Sequence, residues 1–267
     1  MPHAADLPFF ASPFLAFAHR GGGATPADLA RENTLHAFTR AVELGFDYLE
    51  TDVHLTADGV LVAFHDDRLD RVTDAAGMIA DLPWSTVRRA RIAGADQVPT
   101  LAQVFEAVPS ARFNIDAKAD AAVEPLVELI AEHEAWDRVC VSSFGSARLH
   151  RLRRQLRLRL GRGRPVASSV SSVGVAWSRF VPVLPGLVHS TGCAFQVPVR
   201  HTIQGRRVEI VTEAFVDRAH RAGQQVHVWT INDGAEMNRL IDLGVDGLIS
   251  DRLDTLVDVL SRRGLWR

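Results

Sequence analysis

The sequence predicts an α/β fold in which parallel strands, each followed by a crossover helix, close into a (β/α) barrel. Three observations point there. Short apolar, β-branched runs alternate with amphipathic stretches along the chain, the pattern of a parallel sheet covered by its crossover helices. Two of the helical stretches stop at Gly223 and Gly244, and a strand-like run follows each within a few residues, as a helix-to-strand loop requires. The 267 residues, 47% hydrophobic and 23% charged, suffice to bury one large core. A single domain over 1–267 is the economical reading.

Taken in order, strand runs fall at 14–18, 48–54, 60–64, 112–118, 139–143, 165–169, 194–197, 225–230 and 247–250. Helical periodicity covers 34–44, 101–108, 121–133, 146–155, 212–222, 235–243 and 255–263. The count approaches eight β/α units. Residues 66–97 break the rhythm, carrying turn residues and charges without a strong period, and predict an excursion above the barrel. The stretch 168–192, with a Ser/Val tract, Pro182 and Pro185, takes a helix and a loop without firm bounds. There is no internal repeat and no low-complexity linker.

The formal net charge of −2 gives no field of the kind nucleic-acid-binding domains use, so an anionic ligand must be held by locally placed cations. Cys140 and Cys193 each sit in an apolar run, which suits reduced core thiols better than a disulfide framework. The apolar N-terminus lacks a basic leader and runs straight into a motif, so it is not read as a signal peptide. No segment is long and apolar enough to span a bilayer. The expectation is a cytoplasmic enzyme without stable membrane insertion, of unspecified oligomeric state. Eight arginines crowd 148–164; such a run is expected to be a solvated helix face rather than a docking site.

Of 30 basic residues, Lys118 is the single lysine. Either arginine-rich composition is incidental, or one position needs a compact, rotatable ammonium. In a strand, residues i and i+2 share a face, so Glu50 projects with Asp52, and Asp116 with Lys118. Active sites of such barrels lie at the C-terminal strand ends, which brings three acids and one ammonium to one mouth. A salt bridge to an arginine is the commoner fate of any one acid. Two same-face pairs at strand ends instead call for a cation, and oxygen-only ligation points to a hard divalent ion, Mg²⁺ or Ca²⁺.

The first strand runs into His19-Arg20-Gly21, and the strand 60–64 delivers His65. Most of the 11 histidines must be packing or capping residues, but these two lie at strand ends, where they could divide base and acid roles around a phosphorus. Arg20 and Lys118 would bind its non-bridging oxygens. His54, the next same-side position after Asp52, is expected on the rim, and His227 buried and neutral inside the barrel.

HRGGG (19–23), RENT (31–34), LETDVHLTADG (49–59), VAFHDD (62–67), NIDAK (114–118), VSSF (141–144), VHVWT (226–230) and GVDGLISD (244–251) together resemble the glycerophosphodiester phosphodiesterases, over roughly 14–254. The resemblance implies a TIM-type (β/α)8 barrel with a small insertion after the second barrel strand, placed at 66–97. It implies His19 and His65 as the catalytic pair, Glu50, Asp52 and Asp116 as ligands of one divalent metal ion, Arg20 and Lys118 as phosphate contacts, and Trp229 as a wall of the substrate site. The family usually carries Glu where this chain has Asp116, one methylene shorter, which leaves the choice of metal open. Arg31 stands where the family commonly has Pro and is expected to alter only the turn. The implied reaction is hydrolysis of a small glycerophosphodiester to glycerol 3-phosphate and an alcohol, with water or a neighbouring glycerol hydroxyl as nucleophile. Lysophospholipase D chemistry and a non-catalytic binding barrel are the rivals.

Overall fold

The protein is described here from a computed structural model, over residues 3–161, 165–180, 191–203 and 205–266. Eight parallel strands carry the architecture: β1 (Leu15–Gly23), β2 (Tyr48–Leu55), β3 (Arg112–Ala117), β4 (Val139–Ser142), β5 (Ala167–Ser168), β6 (Ala194–Pro198), β7 (Gln225–Trp229) and β8 (Gly247–Arg252). They pair in the order β5-β4-β3-β2-β1-β8-β7-β6. The seam between β5 and β6 is bridged at Ser169 and Ala194, where the Val170 N–H donates to the Ala194 carbonyl at 2.7 Å. The barrel is nearly closed, as the alternation of runs predicted.

Each strand is followed by a helix: α1 (Leu35–Glu43), α2 (Leu101–Ala107), α3 (Val123–Glu132), α4 (Ser146–Leu160), α5 (Ser172–Phe180), α6 (Glu213–Arg221), α7 (Gly234–Asp242) and α8 (Leu253–Arg262). Local chemistry sets their ends. Thr34, Thr100, Thr212 and Asp233 cap α1, α2, α6 and α7 by accepting a backbone N–H at the third helical position, each cap contributing about 1 kcal/mol. Gly223 and Gly244 end α6 and α7 at φ +69° and +87°, the left-handed turn that a residue without a Cβ makes freely. Between strands and helices lies one apolar layer that includes Phe38, Leu49, Phe113, Leu126, Phe195 and Leu256. Of the loosely placed 168–192 stretch, the helix is α5, while Pro182 and Pro185 lie outside the described residues, as do Arg162 and Arg164 of the arginine run.

One strand expectation is corrected. The run 60–64 is not a barrel strand: Leu61–Ala63 folds back antiparallel on β2. Thr56 and Val60 exchange hydrogen bonds across a tight turn in which Gly59 takes φ +84°, and a turn that short makes a hairpin, since a parallel neighbour needs a long crossover. The excursion then packs Leu69, Ile79, Val87 and Ile92 on Val62, Phe64 and Val98, a small core of its own that reaches just past 66–97. Arg31 does more than alter a turn. Its guanidinium grips Asp96 of the excursion with both Nε and Nη2, the latter at 2.8 Å, because a side chain that projects from this loop meets the small hairpin of Arg91–Ile92 and Asp96–Gln97.

The N-terminal segment, invisible to periodicity, seals the bottom of the barrel. Leu7, Phe9 and Phe10 pack on Leu15, Phe17, Tyr48 and Ile249, and the Tyr48 hydroxyl donates to the Phe9 carbonyl at 2.8 Å. Cys140 and Cys193 are free and buried in the same cluster. His227 also lies there, fully buried and 5.1 Å from the Phe17 ring. Desolvation pushes its pKa down to about 3. A histidine whose folded pKa is depressed contributes full stability above its unfolded value, near 6.5, and loses it as the pH falls towards the folded value. Between pH 7 and pH 5 the protein should therefore lose about 2 kcal/mol more than the His227→Leu variant, as read by denaturant unfolding; parallel losses would show that His227 protonates in the folded state.

Candidate active site

The C-terminal strand ends gather a polar cavity lined by His19, Arg20, Glu50, Asp52, His65, Asp116, Phe144 and Trp229, among others. β1 leads into it through a register irregularity between Ala18 and Gly23, so His19 and Arg20 lie within an extended β1 rather than at its end. A Cβ on Gly21 would stand 2.7 Å from the Ala37 Cβ, and one on Gly22 would stand 2.6 Å from Leu253; only glycine passes between α1 and α8. Arg20 itself takes φ +53°, costing about 1–2 kcal/mol for a side chain. It is held there because its N–H donates to Glu50 Oε2 at 3.2 Å and its carbonyl accepts from Asn33 N–H at 2.8 Å.

Glu50 and Asp52 share one face of β2, and Asp52 is in register with Asp116 on β3. All three are at least nine-tenths buried. Lys118 reaches back over this pair, its Nζ 2.7 Å from Asp52 Oδ1 and 2.8 Å from Asp116 Oδ2. Burial would lower the Lys118 pKa, but the two carboxylates outweigh it and raise the value. Burial and the charge on Asp52 push Glu50 up to about 7. Asp116 is raised too, chiefly by burial and only partly offset by Lys118. Asp52 Oδ2 and Asp116 Oδ1 are buried with no hydrogen-bond partner. Three buried acids thus face one ammonium and one guanidinium, with lone pairs left over: a donor set that matches a hard divalent cation.

The histidines are each backed by a carboxylate. His19 Nδ1 lies 2.6 Å from Asp251 Oδ1, which directs Nε2 towards Glu50, 3.8 Å away. Burial pulls the His19 pKa down, but the bond to Asp251 and the charges of Glu50 and Asp251 outweigh it, so the value is raised. His65 Nδ1 lies 2.5 Å from Asp66 Oδ1. Because an ionised carboxylate only accepts, both Nδ1 atoms carry the proton and both Nε2 atoms are left to act. The Asp66 carboxyl is held down at about 2, first by Arg71 and then, against burial, by His65.

At the rim, Trp229 and Phe144 meet edge to face with ring centroids 5.7 Å apart, and Lys118 Nζ lies 5.4 Å from the Phe144 centroid. His54 is not on the rim as expected. It is 9% exposed, and its Nε2 bonds the His65 carbonyl at 3.1 Å, because the antiparallel strand Leu61–Ala63 covers it.

The sequence profile described as the glycerophosphoryl diester phosphodiesterase family matches residues 19–255, a span that begins at His19 and takes in every residue that lines the cavity. The chain belongs to this family. It is 38% identical over 257 residues to a Mycobacterium tuberculosis protein named Probable glycerophosphodiester phosphodiesterase 2, covering 94% of this chain and 92% of that one. It is 28% identical to lysophospholipase D GDPD1 of Homo sapiens, over 91% and 85% of the two chains. The crystal structure of glycerophosphodiester phosphodiesterase from Thermotoga maritima superposes with a TM-score of 0.68 at 25% identity, covering 92% of this chain and 98% of that one.

For this member of the glycerophosphoryl diester phosphodiesterase family, the structure brings all eight residues singled out in the sequence to one cavity or its rim. Among the described residues, no group of three His, Cys, Asp or Glu side chains is arranged to hold a metal ion, and the Lys118 ammonium lies between Asp52 and Asp116. Four supporting residues were not singled out: Asp251 and Asp66 behind the histidines, Phe144 beside Trp229, and Glu32, which accepts from Arg20 Nη1 at 3.0 Å. Each stands inside one of the quoted motifs, in GVDGLISD, VAFHDD, VSSF and RENT. The available signal was an acid or aromatic at a motif position with no role assigned. No helix among the described residues is long and apolar enough to cross a membrane.

Proposed function

We propose that the protein hydrolyses small glycerophosphodiesters to glycerol 3-phosphate and an alcohol, with His19 and His65 as its acid–base pair. The observation that carries this reading is the pair of carboxylate-backed imidazoles opening on one cavity lined also by Arg20 and three buried acids, two of which hold Lys118. His19, oriented by Asp251, takes at Nε2 the proton of the attacking water, or of the neighbouring glycerol hydroxyl, whose cyclic phosphate a water then opens to glycerol 3-phosphate. His65, its ring held through Nδ1 by Asp66, gives a proton to the departing alkoxide. Arg20 and Lys118 neutralise charge that grows on the non-bridging oxygens. Glu50, Asp52 and Asp116 would hold the divalent ion, which supplies further neutralisation of the phosphoryl oxygens. Lys118 must then leave the Asp52–Asp116 pair and turn towards the phosphate, a movement its flexible stem permits. Trp229 and Phe144 wall the glycerol or headgroup side of the cavity.

A second reading, lysophospholipase D activity, is favoured by the exposed apolar groups by the mouth. Phe144 is 63% exposed, and α5, whose Ser172 and Val175 line the cavity, turns Val173 and Trp177 to solvent. The human relative named above carries that activity in its name. Parallel assays with glycerophosphocholine and lysophosphatidylcholine, each with Mg²⁺ and with Ca²⁺, separate the two. Release of choline and glycerol 3-phosphate from the first at the higher kcat/KM is expected; preference for the lysolipid would establish the second reading.

A further inference from the structure

We infer that Arg71, carried on the excursion above the barrel, is a positioning residue that aligns His65 and Arg20 together. Its single guanidinium holds two carboxylates at once. Towards Asp66, Nε donates to Oδ2 at 2.6 Å and Nη2 to Oδ1 at 3.1 Å. Towards Glu32, Nη1 donates to Oε2 at 2.9 Å and Nη2 to Oε1 at 2.7 Å. The oxygens it grips are shared with the site. Asp66 Oδ1 also takes His65 Nδ1, and Glu32 Oε1 also takes Arg20 Nη1. Because the guanidinium is planar and both contacts are forked, it fixes the planes of the two carboxylates relative to each other. The planes of the carboxylates in turn set where His65 Nε2 and the Arg20 fork point.

Arg71 is absent from the residues lining the cavity, and its Nε, Nη1 and Nη2 are all engaged by Asp66 and Glu32, so it acts through them rather than on the substrate. Stability does not explain it. The Arg71 side chain is 47% exposed, and whatever its forked pairs add to folding, folding alone does not require the gripped oxygens to be those shared with His65 and Arg20. The second arginine contact between the same two segments, Arg31 with Asp96, anchors the excursion, so loss of Arg71 leaves the segment in place while freeing the two carboxylates to rotate.

This inference rests on the proposed roles of His65 and Arg20, and its test separates the two. Arg71→Ala, Arg71→Lys and His65→Ala are compared with the unaltered protein on glycerophosphocholine, which expels a poor alkoxide leaving group, and on the p-nitrophenyl ester of glycerol phosphate, whose leaving group needs no acid. Thermal melting of each sample verifies that the fold is retained. His65→Ala, having lost its acid, should fall far more on the choline ester than on the nitrophenyl ester; if it falls equally on both, the acid role of His65 is wrong, whatever Arg71 does. With that established, Arg71→Ala should lose about tenfold or more in kcat on the choline ester beyond its loss on the nitrophenyl ester, the scale of a catalytic group displaced by a fraction of an ångström. Lysine should restore little, since it cannot fork, whereas added guanidinium ion should restore the alanine variant on the choline ester. Equal losses on both esters, full activity in either variant, or no recovery with guanidinium would each overturn the joint alignment of His65 and Arg20 by Arg71.

Discussion

Replacing His19 with alanine is expected to lower kcat by about 10²–10⁴-fold, the usual contribution of a positioned acid–base group, and to do so whatever the leaving group. The reason is the order of events at the phosphorus. Activation of the attacking hydroxyl is needed for every ester, whereas protonation of the departing oxygen matters only where that oxygen is strongly basic. His19 is the more buried of the two, its side chain 15% exposed against 34% for His65, with Asp251 on Nδ1 and Asn232 in turn donating to Asp251 Oδ2 at 2.8 Å. Steady-state rates on glycerophosphocholine and on the nitrophenyl ester measure the effect. Retention of full turnover by His19→Ala would remove this residue from the reaction, and a loss confined to the choline ester would exchange the roles assigned to His19 and His65.

The second large effect is expected at Glu50, where loss of function should coincide with a gain in stability. Glu50 is buried beside Asp52, and its pKa of about 7 means that folding disfavours its charged form. For an acid whose folded pKa is raised, the penalty is absent below its unfolded value, near 4.5, grows as the pH rises, and is complete above the folded value. Glu50→Gln keeps the shape and removes the charge. In metal-free protein at pH 8 it should therefore raise the unfolding free energy, by on the order of 3 kcal/mol, with no gain at pH 4. The same change should lower metal-dependent turnover by about 100-fold or more, on the scale of losing one positioned charge in a desolvated site, and should weaken the binding of Mg²⁺ or Ca²⁺. Unchanged stability at pH 8 would show that Glu50 is compensated by its protein neighbours alone and has no need of a cation.

Much of this was legible from residue order. The alternating runs gave the barrel because parallel strands are buried on both faces and announce themselves as apolar segments, and glycine stops placed two helix ends. The period-two spacing of Glu50 with Asp52 and of Asp116 with Lys118 put four groups at one mouth, where the structure finds Lys118 bonded to Asp52 and Asp116 and Glu50 on the same face of β2. Lys118, the single lysine, lies at the centre of that charge set. What the sequence did not show has physical causes. The run at Leu61–Ala63 looks like any buried strand, and only the tight turn at Gly59 makes it antiparallel. The N-terminal plug has no period, because its 3-10 turns are too short for one. Asp251 and Glu32 were in view but act through partners distant in sequence, and Asp66, though next to His65, turns back onto it with Arg71 in a loop that no period describes.

The proposed role of the three acids is tested most directly by stripping the protein with a chelator and following release of glycerol 3-phosphate from a panel of glycerophosphodiesters before and after Mg²⁺, Ca²⁺ or Mn²⁺ is restored. The stripped protein is expected to be silent and to recover turnover with at least one of these ions. Undiminished hydrolysis without metal, or none with any of the three ions across the whole panel, would contradict it.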